Sequence, residues 1–245
     1  MPRVPPRPGI AAGTLTPEAE RGVVARLMSL YREGWFPMFE EDTGVLEWVQ
    51  PRERSIVPLG ESEFRVSRSL RAAVRRGNLT LTTDEAFEDV MRACARPAKG
   101  REQTWINEDI VSWFVMLHRH GHAHSIEAWI SDAAAPSGRR LVGGLYGLAM
   151  GAVFAGESMF SRPDLGGTDA SKVCLVHLVH HLRRRGFVLL DAQLENPHLD
   201  QFGAASMPRR QYLDIVARMG QDHREWGPFE PAITVGVYAA MGGGA

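Results

Sequence analysis

The chain has 245 residues, 44% apolar and 23% charged, the composition of a soluble globular protein with one large domain or a small and a medium one. A net charge of −1 excludes a global positive field, so a polyanion site must be a local patch, and no DNA-binding role is expected. The two cysteines, Cys94 and Cys174, lie far apart with no CxxC; this predicts free thiols in a reducing, cytoplasmic compartment and argues against structural zinc.

Residues 1–13 open with MPRVPPRPG, Pro- and Arg-rich with no apolar core, and read as a disordered tail, not a signal peptide. Thr16-Pro17 followed by Glu18 and Glu20 predicts a helix start, with a cap, a first-turn proline and acids at the positive dipole end. Val23, Val24, Leu27, Leu30 and Tyr31 continue it at helical spacing, and Gly34 stops it. VLEWVQPRERSIVPL reads as short strands or extended chain broken by Pro51 and Pro58. Residues 14–62 are thus expected to form a small N-terminal domain packed on a larger one, 63–245.

In the larger part, Ser67–Gly77 reads as a short basic helix and Thr83–Ala95 and Ile110–Gly121 as amphipathic helices. Ser125–Ile130 reads as a strand. Leu141 to Gly156 is a run of sixteen uncharged residues, five of them glycine, that ends at Glu157. It is too short and too rich in glycine for a membrane span. It reads instead as strands Val142–Leu148 and Val153–Met159 joined through Ala149–Ala152, the glycines admitting a ligand or another backbone. Thr168–Arg185 is a helix stopped by Gly186, Phe187–Gln193 a strand, and short helices follow near Pro197–Phe202 and Arg209–Met219. Strand, strand, strand, helix, strand is an α+β order of antiparallel strands followed by a crossover.

Three clusters invite chemistry. HRHGHAH, His118 to His124, suggests metal, but no HExxH, cysteine or paired Asp completes a ligand set, and no metal is expected. Arg68, Arg71 and Arg75 recur at i, i+3, i+7 with Arg76 beside them, a row that suits either phosphates or plain solvation. Asp191 and Gln193 share one face at the end of an apolar strand. A half-buried Asp191 needs a donor, and Gln193 then offers an oriented amide oxygen; Glu157, at the end of the glycine hairpin, falls under the same argument. The strand order also suits an acyl-CoA N-acetyltransferase of the GNAT type. That family's pyrophosphate loop is Arg/Gln-x-x-Gly-x-Gly/Ala, and Arg162-Pro163-Asp164-Leu165-Gly166-Gly167 has Leu165 at the first glycine.

Taken together, LYREGWFPMF (30–39), WVQPRERSIVPL (48–59), RSLRAAVRRG (68–77), TWINE (104–108), LHRHGHAHSIEAW (117–129), GESMFSR (156–162), DASK (169–172) and GFVLLDAQLENPHLDQFGA (186–204) resemble the leucyl/phenylalanyl-tRNA–protein transferases. The resemblance implies a small N-terminal α/β domain on a GNAT-like C-terminal domain without the CoA loop. It implies transfer of Leu or Phe, and less well Met, from Leu-tRNA or Phe-tRNA to the α-amine of proteins beginning with Lys or Arg, which marks them for N-degron proteolysis. The donor ester is already activated, so no cofactor is implied, nor any membrane partner. Asp191, Gln193 and Glu157 would be catalytic; Leu145, Phe154, Met159, Leu178 and Leu190 would form the aminoacyl side-chain pocket. Trp48 and Trp105 would stack on the terminal adenosine, and Arg71, Arg75 and Arg76 would meet tRNA phosphates. Two alternatives stay open: an acyl-CoA-dependent N-acyltransferase, and a non-catalytic tRNA- or N-degron-binding protein.

Overall fold

The structure is a computed structural model that describes residues 15–97, 103–222 and 224–230; the Pro/Arg-rich tail and the terminal AAMGGGA lie outside them. Helix α1, Pro17–Arg32, starts as its sequence dictates. Thr16 caps it by accepting from the Ala19 N–H at 3.3 Å, and Glu18 and Glu20 occupy the first turn. Val24, Leu27, Met28 and Tyr31 are among its buried residues. Gly34 then reverses the chain at φ +82°. The next stretch forms an antiparallel hairpin, β1 (Phe36–Glu40) on β2 (Val45–Val49).

Strand β3 (Glu53–Val57) lies in the extended stretch that the sequence assigns to the small domain, but it is hydrogen-bonded into the main sheet. That sheet has seven strands in the order β4-β5-β6-β7-β8-β3-β9. Its members are β4 (Thr80–Thr83), β5 (Ala123–Ser131), β6 (Arg139–Met150), β7 (Val153–Ser161), β8 (Leu189–Gln193) and β9 (Ala205–Pro208), with β3 between the last two. Every pair is antiparallel except β7–β8, which is joined by the crossover helix α5 (Ala170–Arg184). This is the crossover expected from the element order. One sheet face packs on α1, α3 (Phe87–Ala95), α4 (Glu108–Arg119) and α7 (Arg209–Met219). The other packs on α2 (Arg68–Arg76) and α5. Helix α6 (Pro197–Asp200) is a single turn between β8 and β9. No helix among the described residues is long and apolar enough to cross a membrane.

The helix expected over Thr83–Ala95 is a correction. Thr80–Thr83 pairs with Ile126–Trp129 as strand β4, and α3 begins only at Phe87. Asp84, at φ +59°, makes the turn between them, with Oδ1 accepting from the Ser125 N–H at 2.9 Å. The glycine run forms the expected hairpin, with longer strands and a tighter turn. Its glycines serve close packing: a Cβ on Gly143 would sit 2.3 Å from Ala170 Cβ, and one on Gly151 2.4 Å from the Met219 carbonyl oxygen.

Candidate active site

Strands β7 and β8 run side by side only from Val153/Leu189 to Ala155/Asp191, then part. The split is set locally. In β7, Tyr146 opposes Ser158 and Gly147 opposes Gly156, so Glu157 is an extra residue, a bulge that redirects its side chain. In β8, Gln193 ends the strand at φ +65°, a left-handed conformation that costs a residue with a β-carbon about 1–2 kcal/mol. The two distortions meet. Gln193 Nε2 donates to Glu157 Oε1 at 2.7 Å, and the Gln193 backbone N–H donates to Asp191 Oδ1 at 2.8 Å. The sequence brings Asp191 and Gln193 together correctly, but through the backbone: Asp191 holds the main chain of Gln193, and Glu157 holds its amide.

The residue that sequence reasoning missed is Arg54, on β3. It is 1% exposed, with Asp191 at 0%. Its Nη2 pairs with Asp191 Oδ2, and its Nε donates to Oδ1 at 3.2 Å. Nη1 donates to the Gly34 carbonyl and Nη2 to the Tyr212 hydroxyl, both at 3.3 Å. Burial works against the charge on Arg54, but Asp191, Tyr212 and Glu157 outweigh it and raise its pKa. The one general signal was that a buried aspartate needs a compensating cation, which names no particular arginine.

Glu157 is the electrostatic centre. Burial first, and then Asp191, raise its carboxyl from 4.5 to about 7, against the opposing hydrogen bond from Gln193, the nearby Tyr31 hydroxyl and the charge of Arg54. Tyr31 approaches from α1, and its own pKa is raised by burial and then by Glu157. The Tyr31 hydroxyl and Glu157 Oε2 are both shut from solvent without a direct hydrogen-bond partner among the described residues. A carboxyl that titrates near neutrality beside an oriented amide can accept, hold or pass a proton. A concavity of about 460 Å³ on the outer edge, lined by Arg52, Arg209 and Leu213 among others, contains none of these groups. The candidate centre is a split in the sheet.

Residues 57–217 match the model of the leucyl/phenylalanyl-tRNA protein transferase family, and residues 24–52 match that of its N-terminal domain. This chain belongs to the leucyl/phenylalanyl-tRNA–protein transferase family. It is therefore an aminoacyltransferase. The transferase of Chlorobaculum parvum is 46% identical over 190 residues, spanning 78% of this chain and 91% of the relative. That of Novosphingobium aromaticivorans is 47% identical, spanning 78% and 68%. In fold, the chain resembles FemX, with a TM-score of 0.50 at 11% identity over 75% of this chain and 66% of that one.

The other residues that the family resemblance nominates fall into three places. Leu145, Phe154, Leu178 and Leu190 are buried on the α5 side of the sheet, opposite the face of Asp191, with Met159 packed against them and partly exposed. Trp48 and Trp105 both border the other core. Trp48 stacks on Trp113 at 5.9 Å, with its indole nitrogen unpartnered among the described residues. Trp105 is half-buried, and its carbonyl accepts from the Phe39 N–H at 3.1 Å. Helix α2 is capped by Ser67 and stopped by Gly77 as expected; Leu70 and Val74 face inward, Arg75 and Arg76 are exposed and Arg71 is half-buried. Of the histidines, His118 and His124 both approach Asp84, at 3.9 and 2.8 Å. His118 also stacks on Phe87 at 4.3 Å, and His120 lies 3.4 Å from Glu20.

Proposed function

We propose that the chain moves Leu or Phe, and less well Met, from aminoacyl-tRNA to the α-amine of proteins beginning with Lys or Arg, marking them for N-degron proteolysis in the cytoplasm. The observation that carries this reading is the Gln193–Glu157 hydrogen bond at the strand split, anchored by Asp191. An ionised Glu157 only accepts, so it draws the amide nitrogen of Gln193 toward itself and turns the amide oxygen away. That oxygen accepts from the attacking amine. The amine nitrogen bonds to the ester carbonyl carbon, the bond to the terminal ribose oxygen breaks, and the amine proton passes to that oxygen. The α-amine titrates near neutrality on its own, so positioning supplies much of the rate. An activated ester balances the reaction without ATP, CoA or metal.

Leu165 supports an amino-acid ester over a CoA thioester as donor. It ends the 3-10 turn Pro163–Leu165, where a CoA-binding loop needs glycine. Phe154, Leu145, Leu178, Leu190 and Met159 share the apolar cluster on the α5 side of the sheet, which supports their proposed role as the wall for the aminoacyl side chain. Crowding at Cβ there disfavours Val and Ile by about 1–3 kcal/mol per methyl. Trp48 and Trp105 take the terminal adenosine, and Arg71, Arg75 and Arg76 take tRNA phosphates. The deciding assay offers labelled Phe-tRNA or Leu-tRNA to a peptide beginning with Arg, without CoA. Label in the peptide is the expected result. Transfer only from an acyl-CoA, or tRNA binding without any transfer, would overturn the reading.

A further inference from the structure

Arg54 is surrounded by four elements. It reaches Asp191 on β8, the Gly34 carbonyl after α1 and the Tyr212 hydroxyl on α7, and its guanidinium lies 5.0 Å from the Phe36 ring centre on β1 and 4.4 Å from that of Tyr212. A buried ion pair is a costly way to join two parts of a protein; apolar side chains of similar volume serve as well or better. The contacts of Asp191 show what the pair achieves. Its Oδ1 accepts from Arg54 Nε and, on the same atom, from the backbone N–H of Gln193. The guanidinium fork fixes the plane of the carboxylate. The carboxylate in turn holds Gln193 in its left-handed turn, and the turn delivers the Gln193 amide to Glu157.

We infer that Arg54 is a positioning residue of the transfer reaction: it locks Asp191, and through Asp191 the turn at Gln193, to the frame formed by Gly34, Phe36 and Tyr212. The inference rests on the proposed role of Gln193 and Glu157 at the reacting amine. It makes the small N-terminal segment part of the catalytic geometry as well as of donor binding. It also separates two properties of Arg54, its shape and its charge. Besides Arg54, the titratable groups around Glu157 are Asp191 on β8, Tyr31 on α1 and, further out, Tyr146 on β6 and Tyr212 on α7. The charge of Arg54 holds the Glu157 pKa down, so removing that charge moves Glu157 upward.

Full-length Arg54→Lys, Arg54→Gln and Tyr212→Phe proteins are compared with wild type for thermal unfolding and for steady-state transfer from Phe-tRNA to an Arg-initiated peptide over pH 6–9. Arg54→Lys keeps the charge and loses the fork. It is expected to lower kcat by about 10²-fold, the scale of a small misplacement, with the KM for Phe-tRNA within about twofold of wild type and the acid limb of the pH profile unmoved. Arg54→Gln is expected to lower kcat similarly and to move the acid limb to higher pH. Tyr212→Phe keeps the ring and removes only the hydroxyl that accepts from the Arg54 guanidinium at 3.3 Å; it is expected to lower kcat about threefold, the scale of one long, weak hydrogen bond to the clamp. A folded Arg54→Lys protein with wild-type kcat and pH profile overturns the inference. If neither Arg54 variant folds, a wild-type kcat in Tyr212→Phe overturns it. Gln193→Ala keeps the two readings apart: wild-type turnover there removes the proposed reacting pair, whereas low turnover there with wild-type Arg54→Lys removes only the role of Arg54.

Discussion

Gln193 and Glu157 come from two strands that no longer pair, yet a 2.7 Å hydrogen bond joins them. The geometry depends on an irregularity in each strand, a bulge at Glu157 and a positive φ at Gln193. Both irregularities fall on polar residues, a pattern that recurs at functional sites.

Glu157→Gln tests the carboxyl. Its pKa is raised from 4.5 to about 7, so protons favour the folded state. That stabilisation is complete below the unfolded value and is lost as pH rises through the folded one. The Tm of Glu157→Gln relative to wild type should therefore increase between pH 5 and 8. Its kcat should fall by about 10²-fold, and its pH–rate profile should lose one proton from the acid limb. Parallel Tm curves for the two proteins would show that Glu157 is not perturbed.

Gln193→Ala should lower kcat by about 10²-fold with little change in tRNA affinity, since both residues pay the same backbone cost at positive φ. Gln193→Glu sets a second carboxyl against Glu157. Near neutrality the pair shares one proton and stays bridged, so this variant should outperform Gln193→Ala. The advantage should fade as pH rises and the second proton leaves. If both variants keep wild-type kcat, proton transfer runs through the substrate's own ribose hydroxyl.

Trp48 and Trp105 should differ. Trp105→Ala should raise the KM for aminoacyl-tRNA by about tenfold, within the roughly 1–3 kcal/mol of one base stack. Trp48→Ala should also lower Tm, because it uncovers Trp113. An unchanged KM in both folded proteins would remove the stacking platform.

Replacing Arg71, Arg75 and Arg76 together by Ala should weaken tRNA binding and reduce the slope of log Kd against log salt by up to about two to three. A phenylalanyl-adenosine donor should be used as well as before. Equal losses on both donors would make these arginines part of the fold.

The helices were legible because capping and periodicity are local: Thr16, Ser67 and Gly77 mark their ends correctly. The short strands were not. Thr80–Thr83 carries no alternating pattern and is a strand only because β5 lies alongside. Ala205–Pro208 is likewise defined by β3. Of the candidate site, Asp191, Gln193 and Glu157 could be found from strand ends and from the family's motifs. Arg54 was hidden because its partner lies 137 residues away, beyond the reach of any spacing rule.

The place of β3 in the sheet has a consequence for synthesis. An early strand has both its neighbours, β8 and β9, near the far end of the chain. Contacts of such separation form late and slowly. As the chain leaves the ribosome, Arg54 waits for Asp191, so the candidate centre cannot assemble until β8 has emerged. Pulsed hydrogen exchange on stalled chains should find the β3 amides unprotected until β8 and β9 have emerged, and early protection would refute this order.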